Sequence, residues 1–164
     1  MVARTWITRF QLFSELWALK KRGSILGFRW VTSEYDLGYV RKATIATLSI
    51  GSERLCVVIE DRGLTRVTAT PHYTFVVGHL SGRDEMKKPW RRYVATFYGS
   101  ALLPSKEKEF TTLIETAKTG AKLPRILVRK SHHQGSFVVL DGLHRFAIQS
   151  VLSPTEAIDC YLTP

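Results

Sequence analysis

Cysteine is scarce in this sequence of 164 residues: Cys56 and Cys160 are the only two, and each lies inside an apolar run. A cysteine in an apolar run usually acts as a small buried hydrophobic residue in a protein of a reducing compartment. Proteins that depend on disulfides contain many more cysteines. We therefore expect neither a disulfide nor a reactive thiol. At this length, with 45% hydrophobic residues, the chain can bury a core without a crosslink.

Long apolar runs are missing as well. No stretch approaches the ~20 apolar residues that a membrane helix requires, and the N-terminal segment FQLFSELWAL is interrupted by Gln11 and Glu15. No repeat, low-complexity tract or linker divides the sequence. These absences predict a single domain over residues 1–164 of a cytoplasmic protein with no membrane span, and they leave the oligomeric state open.

Acidic residues are outnumbered: 14 Asp and Glu stand against 24 Lys and Arg, giving a formal net charge of +10. This excess predicts an anionic partner, which could be a nucleotide, a nucleic acid or an acidic membrane surface. The densest basic segment is RDEMKKPWRR, in which Trp90 is interleaved. It could contact phosphates and stack on bases, although a solvated helix face is the commoner explanation of such a cluster.

Hydrophobic periodicity predicts an α+β domain with a mixed β-sheet flanked by helices. In the N-terminal part, residues 1–70, it indicates a helix over residues 9–22 and then a three-stranded meander in the runs ATIATLSI, RLCVVIE and LTRVTAT. In the core, residues 71–164, it indicates a helix between Pro89 and Gly99 and another between Ser105 and Gly120. A hairpin of ILVRKS and SFVVL, the helix LHRFAIQSVL and the strand AIDCYL complete the prediction.

The segment SFVVLDGLHRFAIQSVL carries a local contradiction. His144 and Arg145 fall in the first turn of the predicted helix, where unpaired N–H groups are already positive and each cation costs about 0.3–1 kcal/mol. A bound phosphate would reverse this effect, because Arg145 can hold two of its oxygens and Gly142 allows close backbone approach. Alternatively, Asp141 is a simple N-cap, while His144 and Arg145 point into solvent or pair with carboxylates.

The run LDGLHRFAI resembles the signature DGHHR, followed by small and apolar residues, of the ParB/sulfiredoxin superfamily, especially its free serine kinase branch. The surrounding order is similar too: a Pro-His element at Pro71-His72, a helix, two strands, the motif and a short last strand. The resemblance covers about residues 65–162. It implies a ParB/sulfiredoxin-like fold and a kinase that moves phosphate from a magnesium nucleotide, ATP or ADP with CTP as a further option, to a hydroxyl of an amino acid or sugar.

The same resemblance assigns roles within this sequence. Asp141, His144 and His72 would be catalytic, and Asp141 would also hold Mg²⁺ or the acceptor hydroxyl. The nucleotide would be bound by four consecutive residues of the motif: Gly142, Leu143, His144 and Arg145. Small ParB-like proteins associated with surface-polysaccharide genes have a similar pattern, which makes a sugar-type acceptor conceivable.

Three departures limit the resemblance. Leu143 stands where sulfiredoxin has a cysteine, so repair of sulfinic acids is not expected. The glycine- and arginine-rich box and the helix-turn-helix domain of ParB have no counterpart in this sequence, which disfavours a DNA clamp. Tyr73 stands where the kinases have a general-base glutamate, which leaves the base unassigned, with Asp84 and Glu85 as nearby carboxylates. The alternative function is a non-enzymatic module that senses a nucleotide or binds DNA or RNA.

Overall fold

The structure is a computed structural model, and it describes residues 4–6, 44–50, 55–59, 63–131 and 137–163. Every structural statement below refers to these ranges. The helix predicted over residues 9–22 lies outside them, as does the polar turn of the hairpin at residues 132–135.

Seven strands form one mixed sheet, in the spatial order β1-β2-β7-β5-β6-β3-β4. The pairs β3–β6 and β5–β7 are parallel and the other four pairs are antiparallel, as the α+β prediction of a mixed sheet required. The strands are β1 Arg4–Trp6, β2 Thr44–Ser49, β3 Leu55–Ile59, β4 Gly63–Arg66, β5 Ile126–Lys130, β6 Phe137–Asp141 and β7 Ala157–Thr163.

Four α-helices accompany the sheet in the described ranges: α1 Pro71–Ser81, α2 Lys88–Tyr98, α3 Leu103–Lys118 and α4 Leu143–Leu152. Each of the first three has a proline at its first or second position, where the missing N–H costs no hydrogen bond. Their apolar faces pack on one face of the sheet, so that Phe75, Phe110 and Phe146 share a core with Ile126 and Val128. No helix in the described ranges has the length and apolar character needed to span a membrane.

The hairpin and final helix were predicted correctly. β5 and β6 pair antiparallel, with a register irregularity between Leu127 and Val128, and α4 spans the predicted LHRFAIQSVL. Helices α2 and α3 also lie where the periodicity placed them, and their buried residues Trp90, Val94, Phe110 and Ile114 belong to the predicted stripes. These elements are local, and local patterns were enough to find them.

The predicted meander was wrong in its pairing. β3 and β4 do form a hairpin, but β2 pairs with β1 and β7 instead of β3. The third run leaves the strand after Arg66 and continues as a 3₁₀ turn over Val67–Ala69. Alternation along a strand reports which face is buried but does not identify the neighbouring strand, so long-range pairing was outside its reach.

Helix α1 was not predicted, because its sequence PHYTFVVGHLS does not segregate apolar and polar residues at helical spacing and contains a glycine. The structure explains both features. Thr70 caps the helix by accepting a hydrogen bond from the Tyr73 amide, and a Cβ at Gly78 would lie 2.7 Å from the Cβ of Met86. Gly78 therefore permits the close return of the chain after α1.

Candidate functional site

Arg145 is almost fully buried, although the amphipathic pattern of α4 did not predict it. Its Nη2 donates to Asp141 Oδ2 at 2.7 Å and its Nη1 donates to the backbone carbonyl of Arg125 at 2.6 Å. Arg145 thus ties α4 to the start of β5 and the end of β6. We call this unit, formed by Asp141, Gly142, Arg145 and the Arg125 carbonyl, the Arg145 junction. The buried guanidinium thus pairs with a carboxylate, as the alternative interpretation allowed, and its role as a phosphate clamp stays a prediction.

Gly142 is required by the Arg145 junction itself. Its φ is +92°, a conformation that favours glycine. A Cβ there would lie 2.7 Å from Ile126 Cγ2 and 3.0 Å from Arg145 Nη2. The close backbone approach that the sequence predicted for a phosphate is therefore made by Arg145 and Ile126.

The start of α4 carries no side-chain cap. The N-cap is Gly142, whereas Asp141 ends β6 and pairs with Arg145, so the alternative that Asp141 is a simple N-cap is wrong. The Phe146 amide begins the helical ladder by donating to the Gly142 carbonyl at 2.8 Å. The amides of Leu143, His144 and Arg145, which precede it, belong to the orphan donors of a helix start, and backbone groups of this kind bind anions.

His144 lies in an aromatic setting instead of pointing into solvent. Its ring centroid is 4.4 Å from that of Phe110 and 4.6 Å from that of His72, both nearly perpendicular. Burial, followed by the charges of Lys106 and Arg145, lowers the pKa of His144 to about 4. The imidazole is therefore neutral at pH 7, and Asp141 balances the charge of Arg145. The crowding of positive charge that the sequence indicated at this turn is thus relieved within the protein.

His72, on the first turn of α1, has a buried polar atom without a partner among the described residues, as does the nearby Trp90. The side chain is 3% exposed, and its Nδ1 is buried with no hydrogen-bond partner among the described residues. Burial, followed by the nearby His144, holds the pKa of His72 well below its usual value. A buried polar atom without a partner costs about 1–3 kcal/mol. A ligand that hydrogen-bonds His72 would recover this energy.

The first turns of two helices meet here, beside the middle of a third. His72 belongs to the first turn of α1 and His144 to that of α4, and Phe110 of α3 contacts both rings. One turn before Phe110, Lys106 is close enough to depress the pKa of His144. We call His72, Lys106 and His144 the helix-end cluster. The positive ends of the α1 and α4 dipoles and the charge of Lys106 make it a favourable place for an anion.

Lys106 was not among the predicted site residues, although it has the feature that drew attention to His144, a basic side chain at the start of a helix. It is a cation in the first turn of a helix, in the sequence LPSKEKEF. Its side chain is 12% exposed, and its Nζ lies 3.3 Å from Glu109 Oε2, a carboxylate that is mostly exposed. Exposed pairs of this kind contribute little energy, so Glu109 is a partner that an anionic ligand can replace.

The other candidate groups lie away from the helix-end cluster. Asp84 pairs with Arg91 at 2.7 Å, and its segment packs beside Gly78, about 9 Å along α1 from His72. Asp84 and Glu85 are therefore poorly placed to act as the base. Strand register places Arg129 and Tyr161 on the sheet face opposite α1 to α4. The Arg125 guanidinium lies 5.7 Å from the centre of the Tyr161 ring. Neither arginine side chain therefore lies next to His72.

The centre of the basic segment RDEMKKPWRR is engaged by the protein itself. Trp90 is fully buried against Phe75 and Phe110, so it cannot stack on a nucleic-acid base. Arg91 donates to both Asp84 and Glu107. These contacts favour a structural role for the centre of this segment.

A metal would find few protein ligands here. Within the described ranges, no group of three or more His, Cys, Asp or Glu side chains could hold an ion. Asp141, the predicted metal ligand, has one oxygen engaged by Arg145 and a side chain that is 22% exposed. Mg²⁺ commonly binds through one or two carboxylates together with substrate phosphates and water. The free oxygen of Asp141 fits a single such contact.

Neither a family model, nor a curated protein, nor a solved structure matches this chain. The likeness of LDGLHRFAI to the ParB/sulfiredoxin signature therefore depends on the motif and the order of elements alone.

Proposed function

We propose that this chain is a ParB/sulfiredoxin-like phosphotransferase that binds nucleotide phosphates at the helix-end cluster and moves one phosphate to a hydroxyl of an amino acid or sugar. The observation that carries the proposal is that the first turns of α1 and α4 meet at His72, whose buried Nδ1 has no hydrogen-bond partner among the described residues. Dipoles and free amides attract an anion, and His72 needs a polar partner.

Phosphate binding would depend mainly on the backbone of α4 and on Lys106. The amides of Leu143, His144 and Arg145 offer directed donors, and Lys106 supplies a mobile positive charge. Arg145 contributes by positioning, since its bonds to Asp141 and the Arg125 carbonyl fix the first turn of α4 against the sheet. The motif would thus present its main chain to the ligand, with Arg145 as the support.

Transfer would depend on alignment and charge neutralisation, which dominate phosphoryl transfer in general. The neutral His72 imidazole can accept a hydrogen bond from an acceptor hydroxyl and orient it. Bound Mg²⁺, carried by the nucleotide and touched by Asp141, would neutralise phosphate charge. The His144 ring, which contacts the His72 ring, would lie beside the acceptor.

A nucleotide-sensing module without catalysis is the second candidate. The observation that favours it is the pairing of Asp141 with Arg145 at 2.7 Å, which leaves the helix-end cluster without a free catalytic carboxylate among the described residues. A nucleic-acid ligand is a weaker candidate, because Trp90 is buried and Arg91 is paired.

A thermal-shift panel tests binding. ATP, ADP and CTP are added with Mg²⁺ to the wild type, to Lys106→Gln and to the control Lys118→Gln, whose lysine is also on α3 but far from the cluster. A nucleotide at 100 times its Kd stabilises by about 2.7 kcal/mol, or roughly 5–10 °C for a domain of this size. We expect Lys106→Gln to lose most of this shift and Lys118→Gln to keep it.

Turnover separates the two candidates. Nucleoside diphosphate or monophosphate release is measured with serine and other amino acids and with sugars as acceptors, at low and at high salt. Phosphorylated acceptor, lost in His72→Phe, supports the kinase, and nucleotide binding without any product supports sensing. If no nucleotide raises the wild-type midpoint, both candidates are wrong.

A further inference from the structure

The end of α2 exposes aromatic side chains. Phe97 is 38% exposed and Tyr98 is 46% exposed. The ring of Tyr93, one turn earlier, lies 4.9 Å from that of Phe97 and 6.1 Å from that of Tyr98. We call these three residues the aromatic platform. Grouped aromatic side chains that remain in contact with water commonly mark a binding surface.

The aromatic platform is continuous with the helix-end cluster. The Tyr93 ring lies 5.2 Å from the ring of His72, which in turn lies 4.6 Å from that of His144 in the first turn of α4. A row of rings therefore leads from the α4 amides to the exposed faces of Phe97 and Tyr98. A ligand with an anionic end and a planar end could contact both regions at once.

We propose that the aromatic platform binds the base of the nucleotide whose phosphates bind at the helix-end cluster; this inference depends on the proposed function. Stacking on aromatic side chains contributes about 1–3 kcal/mol per base and tolerates any base. A purine offers more stacking area than a pyrimidine. The platform therefore selects ATP or ADP over CTP by a modest factor.

A nucleobase fits this surface better than a second copy of the chain does. Three side chains fall far short of the roughly 800 Å² per partner that a stable protein interface buries. The net charge of +10 also makes two copies repel each other. The three side chains of the aromatic platform are enough to contact a single planar base.

The experiment compares ATP with inorganic tripolyphosphate, which carries the charge without the base. Both are titrated calorimetrically into the wild type, Tyr98→Ala, Phe97→Ala and Tyr98→Phe. The control is Leu80→Ala, whose leucine has similar exposure at the far end of α1. We expect Tyr98→Ala to weaken ATP binding about 5- to 150-fold and to leave tripolyphosphate binding unchanged. Tyr98→Phe and Leu80→Ala should bind ATP as the wild type does.

The outcomes distinguish the two proposals. If ATP and tripolyphosphate bind the wild type equally and Tyr98→Ala and Phe97→Ala have no effect on ATP, the platform is wrong while the phosphate site stands. If neither ligand binds the wild type, the proposed function is wrong, and the inference about the aromatic platform is wrong as well. If Tyr98→Ala converts a dimer to a monomer in sedimentation, the platform is a self-interface and the nucleobase assignment is overturned.

Discussion

Two regions meet at the first turn of α4, and they differ in how completely their polar groups are satisfied. In the Arg145 junction, the guanidinium donates to Asp141 and to the Arg125 carbonyl, and Gly142 makes room for it. In the helix-end cluster, His72 Nδ1 has no partner among the described residues and the α4 amides have no side-chain cap. His144 and Arg145 are adjacent in sequence, yet they belong to different physical units.

The comparison separates stability from binding within one short motif. Satisfied, buried polar groups hold a fold in one arrangement, and unsatisfied ones are available to a ligand. We therefore expect substitutions in the Arg145 junction to unfold the protein, and substitutions in the helix-end cluster to affect ligands more than stability.

The largest effect is expected for Arg145→Ala. Removing one partner of a buried ion pair costs about 3–5 kcal/mol, because the other charge is left without compensation. Urea unfolding measures the loss. Arg91→Ala, which breaks a more exposed ion-pair network, is the control and should cost about 1 kcal/mol. A loss of less than 1 kcal/mol for Arg145→Ala would contradict the structural role of the junction.

Gly142→Ala should follow, with a loss of about 2–3 kcal/mol from an unfavourable φ and a crowded Cβ. Gly120→Ala separates the two causes, since Gly120 also has a positive φ but nothing within 4 Å of its Cβ position. It should cost about 1 kcal/mol. Equal losses in the two variants would show that Ile126 and Arg145 do not crowd Gly142.

Acid should destabilise the protein through the helix-end cluster. The pKa of His144 is lowered to about 4 in the folded chain, against about 6.5 when unfolded. Below pH 6.5 His144 is protonated in the unfolded state but stays neutral in the folded state. The free energy of unfolding therefore falls as the pH drops towards 4. We expect a loss of about 1–3 kcal/mol, less than the full linkage because the ring is partly exposed. Urea unfolding of His144→Phe between pH 7 and 4 should show a flatter profile than the wild type, and identical profiles would refute the assignment.

The smallest effect on stability is expected for His72→Phe. The change keeps an aromatic ring of similar shape and removes a buried atom without a partner, so the free energy of unfolding should stay within about 1 kcal/mol of the wild type. Chemical denaturation of the unliganded protein measures this. A loss above 2 kcal/mol would place His72 among the residues that hold the fold and would weaken its role in binding.

Sequence patterns predicted the β5–β6 hairpin and helices α2, α3 and α4, because each depends on neighbours along the chain. They did not predict the partners of β2, which pairs with β1 and β7. The resemblance assigned His72 and His144 to one site, and the structure places the two rings in contact. The sequence patterns did not predict the burial of Arg145, because its two acceptors depend on how the start of β5 and the end of β6 meet. Lys106 could have been identified as a basic residue at the start of a helix. It was overlooked because it lies far from the motif in sequence.

The position of β7 constrains how the chain can assemble. This strand is made after every other described strand, yet it lies inside the sheet, joining β2 on one side to β5 on the other. A ribosome that has reached residue 156 has produced both portions of the sheet without the strand that unites them. Completion must therefore wait until translation has passed residue 163, and a truncation before Ala157 should yield two disconnected halves with open edges prone to aggregation.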